Sequence, residues 1–251
     1  MNKLYKTNEL YFALILIGLY CMILTPIRGH FGDESPWMLC ALLLIAISIT
    51  AFVKANHLKE KYGLTTYPKH QKRYLYFIPM WILVTGNLWG GIRPAYQGVY
   101  LLTAVLSMLL IGYIEELIFR GFLFKALISK IGTSKAIIIS SVTFGIGHIV
   151  NLFIGPLTLE TVIQVFFAIS WGFILTMVFY KSGSLLPGII AHGLIDVFAV
   201  FSLNQIRPIS LSTLVYPLVT IGVAAIYCAF LARYSPHRRG SSDVPEDIER
   251  P

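Results

Sequence analysis

Three short segments of this sequence combine ionisable side chains with helical spacing inside apolar runs. They are Glu115-Glu116-Leu117-Ile118-Phe119-Arg120, Phe144-Gly145-Ile146-Gly147-His148 and His192-Gly193-Leu194-Ile195-Asp196. A charged side chain in the hydrocarbon of a membrane costs several kcal/mol, so such residues are retained where they have a function. The three segments therefore predict one functional site that contains acids, imidazoles and a guanidinium.

Two kinds of chemistry fit these residue types. In one, a carboxylate and an imidazole activate water for attack on a carbonyl group, and other donors hold the developing oxyanion. In the other, a zinc ion bound by His148, His192 and a carboxylate, Glu115, activates the water. Neither chemistry needs a Ser or Cys nucleophile, and the sequence contains no GxSxG, HExxH or GxxxxGK[ST] pattern.

The composition is that of an integral membrane protein. Of the 251 residues, 56% are hydrophobic and 13% are charged, and the mean hydropathy is +0.72, whereas about a quarter of the residues of a soluble domain are charged. The net charge of +8 fits the basic cytoplasmic loops of a membrane protein better than a nucleic-acid partner. The three cysteines lie in apolar runs and form no CxxC pattern, so we expect neither a disulfide framework nor a cysteine metal site.

Eight apolar runs predict an all-α polytopic membrane protein with about eight transmembrane helices, since a spanning helix needs about 20 residues. The runs are 10–27, 36–53, 74–92, 98–118, 136–154, 158–180, 184–202 and 209–232. The first run is long and no small-x-small cleavage site follows it, which predicts a retained anchor. The run 184–202 is the weakest because it contains Pro187, His192 and Asp196. Asn87 and Gln164 lie inside runs, where we expect helix–helix hydrogen bonds.

The basic residues predict that both termini are cytoplasmic. With the N-terminus inside and the spans alternating, sixteen of the 20 lysines and arginines fall on the cytoplasmic side. Only Arg28, Arg93 and Arg207 fall outside, and Arg120 belongs to the first motif. Such an asymmetry follows the positive-inside rule.

We divide the chain into three parts on this pattern. Residues 1–97 form an N-terminal bundle of three spans with a basic cytoplasmic loop at 54–73. Residues 98–202 hold every motif and form the predicted catalytic core. Residues 203–251 contain the last span and a short polar cytoplasmic tail.

Helix geometry predicts that the motifs meet at one level in the membrane. At about 1.5 Å per residue, Glu115 lies about 15 Å from the basic loop that follows it at Lys125. His148 lies about 20 Å from Lys135 and His192 about 16 Å from Lys181, the basic residues that precede their spans.

Spacing within each helix predicts which side chains share a face. Glu116 and Arg120 are four residues apart, as are His192 and Asp196, and such pairs share a face. Glu115 lies about 100° around the helix from Glu116. One carboxylate can therefore face the site while the other pairs with Arg120.

The three motifs, in this order on successive membrane helices, resemble the EExxxR, FxxxH and HxxxN/D motifs of the CPBP family, which contains CAAX proteases and bacteriocin-processing enzymes. The resemblance covers about residues 98–202. It implies an eight-helix intramembrane endopeptidase, related to the type II CAAX prenyl protease, that acts on a membrane-associated peptide or protein. It also implies that Glu115 and His148 activate the water and that His192 and the residue at 196 stabilise the oxyanion. Glu116, Arg120 and Phe144 are then expected to have structural roles beside these residues.

Position 196 departs from the prenyl protease, which has Asn where this sequence has Asp196. An ionised carboxylate would repel an oxyanion, so three roles stay open for Asp196: a protonated donor, an orienting partner of His192, or a metal ligand. The alternatives to proteolysis are a non-catalytic membrane scaffold or immunity protein and, third, a transporter. The compact length and basic loops favour a bacterial cell membrane.

Overall fold

The computed structural model of the chain describes residues 2–65, 77–148, 159–203 and 211–233. Their helices are α1 (Asn2–Thr7), α2 (Glu9–Phe31), α3 (Pro36–Ala55), α4 (Ile78–Val84), α5 (Gly98–Glu116), α6 (Lys125–Ile131), α7 (Thr133–Gly147), α8 (Leu159–Ser182), α9 (Leu186–Val200) and α10 (Leu211–Arg233). A 3-10 turn, Thr85–Leu88, extends α4, and a π-helical segment, Leu117–Phe124, joins α5 to α6. The predicted tail from Tyr234, the second half of the basic loop and Arg207 lie outside the described residues.

The prediction of an all-α polytopic membrane protein is confirmed. Five helical stretches are long and apolar enough to cross a membrane: Glu9–Phe31, Pro36–Ala55, Gly98–Ile131, Val162–Ser182 and Thr213–Arg233. Three shorter apolar helices, Ile78–Leu88, Thr133–Gly147 and Leu186–Val200, lie between them in the chain. These eight stretches follow the eight predicted runs in order, and the described ranges contain no strand.

The fourth predicted run, 98–118, begins at the observed residue but ends too early. A loop was expected soon after residue 118, but the helix that begins at Gly98 continues through the π-helical segment and α6 to Ile131. All eight residues of the π-helical segment are buried, and the helix ends only at Gly132, whose φ is 78°. Glu115 therefore lies about 24 Å from the end of its helix rather than about 15 Å.

Contacts between helix termini show which termini lie together at each end of the bundle. At one end Lys130 donates to Asn8 (3.1 Å) and the Leu185 amide donates to the Gly63 carbonyl (3.0 Å). At the other end the Arg93 amide donates to the Phe201 carbonyl (2.8 Å). Successive long helices therefore run in alternate directions, as the orientation prediction requires, although the face of the membrane on which each end lies stays a prediction.

Glycines bring together the helices that carry the motifs. A Cβ atom added at Gly112 on α5 would lie 2.5 Å from the backbone nitrogen of Gly193 on α9. A Cβ at Gly172 on α8 would lie 2.7 Å from the Ser141 carbonyl oxygen on α7. Small residues allow membrane helices to approach this closely, so α5 and α9 meet almost backbone to backbone next to His192.

Candidate active site

A fully buried ion pair lies at the centre of the bundle. Arg120 Nη1 is 2.6 Å from Glu116 Oε1, and neither side chain is exposed. The Arg120 guanidinium carbon lies 4.2 Å from the centroid of the Phe144 ring, a cation–π contact. Weaker hydrogen bonds join Arg120 to Thr176 and to the Gly172 carbonyl, both at 3.4 Å. Two charges at this depth are stable because each offsets the desolvation of the other.

Glu116 also holds the imidazole of His192. The Nδ1 atom of His192 is 2.9 Å from Glu116 Oε1. Because an ionised carboxylate can only accept, Nδ1 is the donor in this hydrogen bond and Nε2 is directed away from Glu116. Gly188 leaves room for this arrangement, since a Cβ there would lie 2.9 Å from Glu116 Oε2. One carboxylate therefore links α5, the π-helical segment and α9.

Two further carboxylates lie on the other side of the His192 ring. Asp196 Oδ2 is 3.5 Å from His192 Nε2, and Glu115 Oε2 is 3.8 Å from it. Both separations are longer than a good direct hydrogen bond and short enough to be joined through one water. Glu115 and Asp196 come from different helices, so the cluster depends on the close approach of α5 and α9.

Phe144 contacts both imidazoles of the site. Its ring centroid is 5.6 Å from that of His148 and 5.5 Å from that of His192, with edge-to-face geometry in both pairs. His148 caps the C-terminus of α7. Phe144 and His148, four residues apart, thus bring one aromatic ring into contact with Arg120 and with both histidines.

Two cavities adjoin the cluster, and His148 lines both of them. The larger cavity has a volume of about 470 Å³. Its polar lining includes His192 and Asp196, and most of the remaining wall is aromatic or aliphatic, including Phe167, Trp171, Leu175, Tyr216 and Pro217. The smaller cavity, about 50 Å³, contains Glu115 in its wall. A larger and a smaller space, each with a mixed polar and apolar lining, therefore meet at the carboxylates and imidazoles.

The structure thus brings the predicted residues Glu115, His148, His192 and Asp196 together around Phe144, and it places Glu116 and Arg120 behind them. Two contacts reach the site from helices before residue 97, and sequence reasoning missed the first of them. The Tyr20 hydroxyl donates to Glu115 Oε1 at 2.7 Å. The Asn87 side-chain amide donates to the Ile195 carbonyl at 2.8 Å. Asn87 in an apolar run signalled a helix–helix hydrogen bond, but nothing marks Tyr20 among the 14 tyrosines.

The side-chain geometry does not fit a ready-made zinc site. Within the ranges that the structure describes, no group of three or more His, Cys, Asp and Glu side chains has the spacing to hold a metal ion. Of the expected ligands Glu115, His148 and His192, the last is bound to Glu116 through Nδ1, so only its Nε2 is available to a metal ion.

These features define a class: a polytopic membrane protein with carboxylates and imidazoles clustered between its helices beside an apolar cavity. Residues 97–198 match the family model described as type II CAAX prenyl endopeptidase Rce1-like. The match covers about two fifths of the chain and, over these residues, supports the CPBP and CAAX-type family of intramembrane proteases, which are hydrolases. No curated protein matches the chain. The predicted resemblance is confirmed over these residues, and α2, α3 and α4 lie before them.

Proposed function

We propose that this protein is an intramembrane endopeptidase that hydrolyses a peptide bond of a membrane-associated protein or peptide with a water activated by Glu115 and His148. The observation that carries the proposal is the position of two carboxylates, Glu115 at 3.8 Å and Asp196 at 3.5 Å, around Nε2 of His192. The family match supports CAAX-type proteolysis in general.

The proposed reaction needs no covalent enzyme intermediate. Glu115 accepts a proton from water, assisted by His148, and the water oxygen forms a bond to the carbonyl carbon of the substrate. The carbonyl oxygen takes the electron pair of its π bond. His192, as an imidazolium that donates from Nε2, and Asp196, as a protonated carboxyl group, stabilise the resulting oxyanion. The C–N bond then breaks, and the amine leaves with the proton that Glu115 held.

Glu116 and Arg120 support this reaction without touching the substrate. Glu116 fixes the orientation of the His192 ring through Nδ1, as the second partner of a functional histidine commonly does. Arg120 compensates the charge of Glu116 and lies against Phe144. The three side chains hold the imidazole at a fixed angle to Glu115.

The larger cavity supports an apolar substrate. Its aromatic and aliphatic wall begins at His192 and Asp196 and has room for a bulky apolar group on the substrate. In a chain that spans the membrane, such a group would come from a membrane-embedded or lipid-modified segment. We therefore propose substrates whose cleaved bond lies next to such a segment.

A co-expression assay tests the function. The chain is produced with a panel of tagged membrane-proximal peptides, with and without a prenylated C-terminal cysteine motif, and cleavage is followed by the size of the tag. We expect cleavage by the wild type and by Glu60→Ala, an exposed-loop control, and at least a hundredfold loss in Glu115→Ala. Equal cleavage by wild type and Glu115→Ala would contradict the proposed mechanism. Capture of peptides without cleavage would favour a scaffold.

A further inference from the structure

Glu115 is held by a side chain from outside the matched domain. The Tyr20 hydroxyl on α2 donates a hydrogen bond to Glu115 Oε1 at 2.7 Å, and Tyr20 is buried. This contact occupies Oε1 and leaves Oε2 as the carboxylate oxygen on the His192 side. A hydroxyl donor to a carboxylate gives one of the stronger hydrogen bonds in proteins.

The same helix builds one wall of the small cavity. Tyr20, Thr25 and Arg28 from α2 line this space of about 50 Å³ together with Glu115 and His148. A cavity needs about 10–15 Å³ to hold one water, which also needs two to four polar partners. The small cavity meets both conditions, and it lies beside the two residues that the proposed reaction uses to activate water.

Two contacts near the start of α2, away from Tyr20, fix the position of this helix. Phe12 on α2 contacts Phe122 of the π-helical segment, with ring centroids 5.4 Å apart. Asn8, the N-cap of α2, accepts a hydrogen bond from Lys130 on α6. Both contacts join α2 to the helix that carries Glu115, so the Tyr20 hydroxyl is held in register with the carboxylate.

We propose that Tyr20 is a positioning residue for catalysis: it holds Glu115 so that one carboxylate oxygen faces His192 and the reacting water, and α2 closes the water cavity. This inference rests on the proposed function. It makes the site a product of two parts of the chain, the Rce1-like segment and a helix that precedes it.

Tyr20→Phe tests the role, with Tyr113→Phe as the matched control. Tyr113 lies only two residues before Glu115 and also joins α5 to the N-terminal helices through its hydroxyl. That hydroxyl is 2.7 Å from Thr50 Oγ1. With the best-cleaved peptide of the panel, we expect Tyr20→Phe to lower kcat about tenfold per folded molecule and to leave KM within twofold. Tyr113→Phe should keep both constants within twofold of wild type.

The outcomes separate the two proposals. If Glu115→Ala is inactive and Tyr20→Phe has the kcat of wild type, the positioning role is wrong and the proposed function stands. If Glu115→Ala cleaves as fast as wild type, the proposed function fails and this inference fails with it. If Tyr20→Phe does not accumulate as folded protein, a ring-fluorinated tyrosine at position 20 retains the hydroxyl and changes only its donor strength. A kcat that differs from wild type for the variant at position 20, and equals wild type for the variant at position 113, supports the positioning role. The same kcat for both variants overturns it.

Discussion

Glu116 accepts hydrogen bonds from two buried partners, Arg120 and His192. Replacing it with alanine would leave the Arg120 guanidinium without its counter-charge in a fully buried place, and breaking such a pair costs about 3–5 kcal/mol. We expect Glu116→Ala to lower the yield of folded protein and its melting temperature in detergent.

Glu115→Ala is the matched comparison at the neighbouring position, because Glu115 contacts Tyr20 and lies near His192 but forms no ion pair with Arg120. Its melting temperature should stay near that of wild type while cleavage is lost. A stable, inactive Glu116→Ala together with an unfolded Glu115→Ala would mean that the two roles are exchanged.

Asp196 offers a second test at the scale of one residue. We propose that it acts as a neutral hydrogen-bond donor beside His192, 3.5 Å away. Asp196→Asn should then retain activity within about tenfold of wild type, because asparagine presents an N–H donor in nearly the same shape. Turnover of this variant is measured beside the zinc content of the wild type. An inactive Asp196→Asn with one zinc per wild-type chain would instead support a metal-ligand role.

At the scale of helices, the crossing of α5 and α9 sets the distance between Glu115 and His192. Gly112→Ala would place a methyl group 2.5 Å from the backbone of Gly193, so one helix must move. Overpacking of this kind costs about 1–3 kcal/mol. We expect a lower melting temperature and a loss of cleavage larger than the loss of folded protein.

Gly18→Ala on α2 is the control for this prediction. A Cβ at Gly18 would meet no atom within 4 Å, and alanine is the better helix former. This variant should melt at or slightly above the temperature of wild type. If both alanine variants behave alike, the close approach of α5 and α9 is not what positions the site.

The sequence predicted the helices well and the contacts between them only in part. Apolar runs located the eight helices because hydropathy is a local property of the chain. The i, i+4 spacing anticipated the pairing of Glu116 with Arg120, since both lie on one helix. The bond between Glu116 and His192, and the one between Tyr20 and Glu115, join distant parts of the chain. Their geometry follows from how α2, α5 and α9 pack, which no local pattern encodes.

At the scale of the whole molecule, the prediction concerns orientation. The contact of Lys130 with Asn8 and that of Leu185 with Gly63 put the N-terminus, the loop after α3 and the ends of α6 and α8 on one side. Because most of the lysines and arginines within the described residues lie on this side, we expect it to be cytoplasmic. Reporter fusions after Arg250 and within residues 56–65 should both read cytoplasmic. An external C-terminal reporter would mean that the number of spans is odd.

The π-helical segment Leu117–Phe124 lets this helix accept one particular change in its length. A π-helical turn contains more residues than an α-helical turn and is commonly found at functional sites. Losing a single residue between Glu116 and Arg120 would return the segment to ordinary α-helical winding, and the helix after it would keep its direction because the wider turn had held the extra residue. Arg120 would then lie three residues after Glu116, a spacing that still places both side chains on one face. In the evolutionary history of such chains, a one-residue gap at this place is therefore a change that the buried ion pair can survive, whereas the same gap inside α5 would turn everything after it by about 100°.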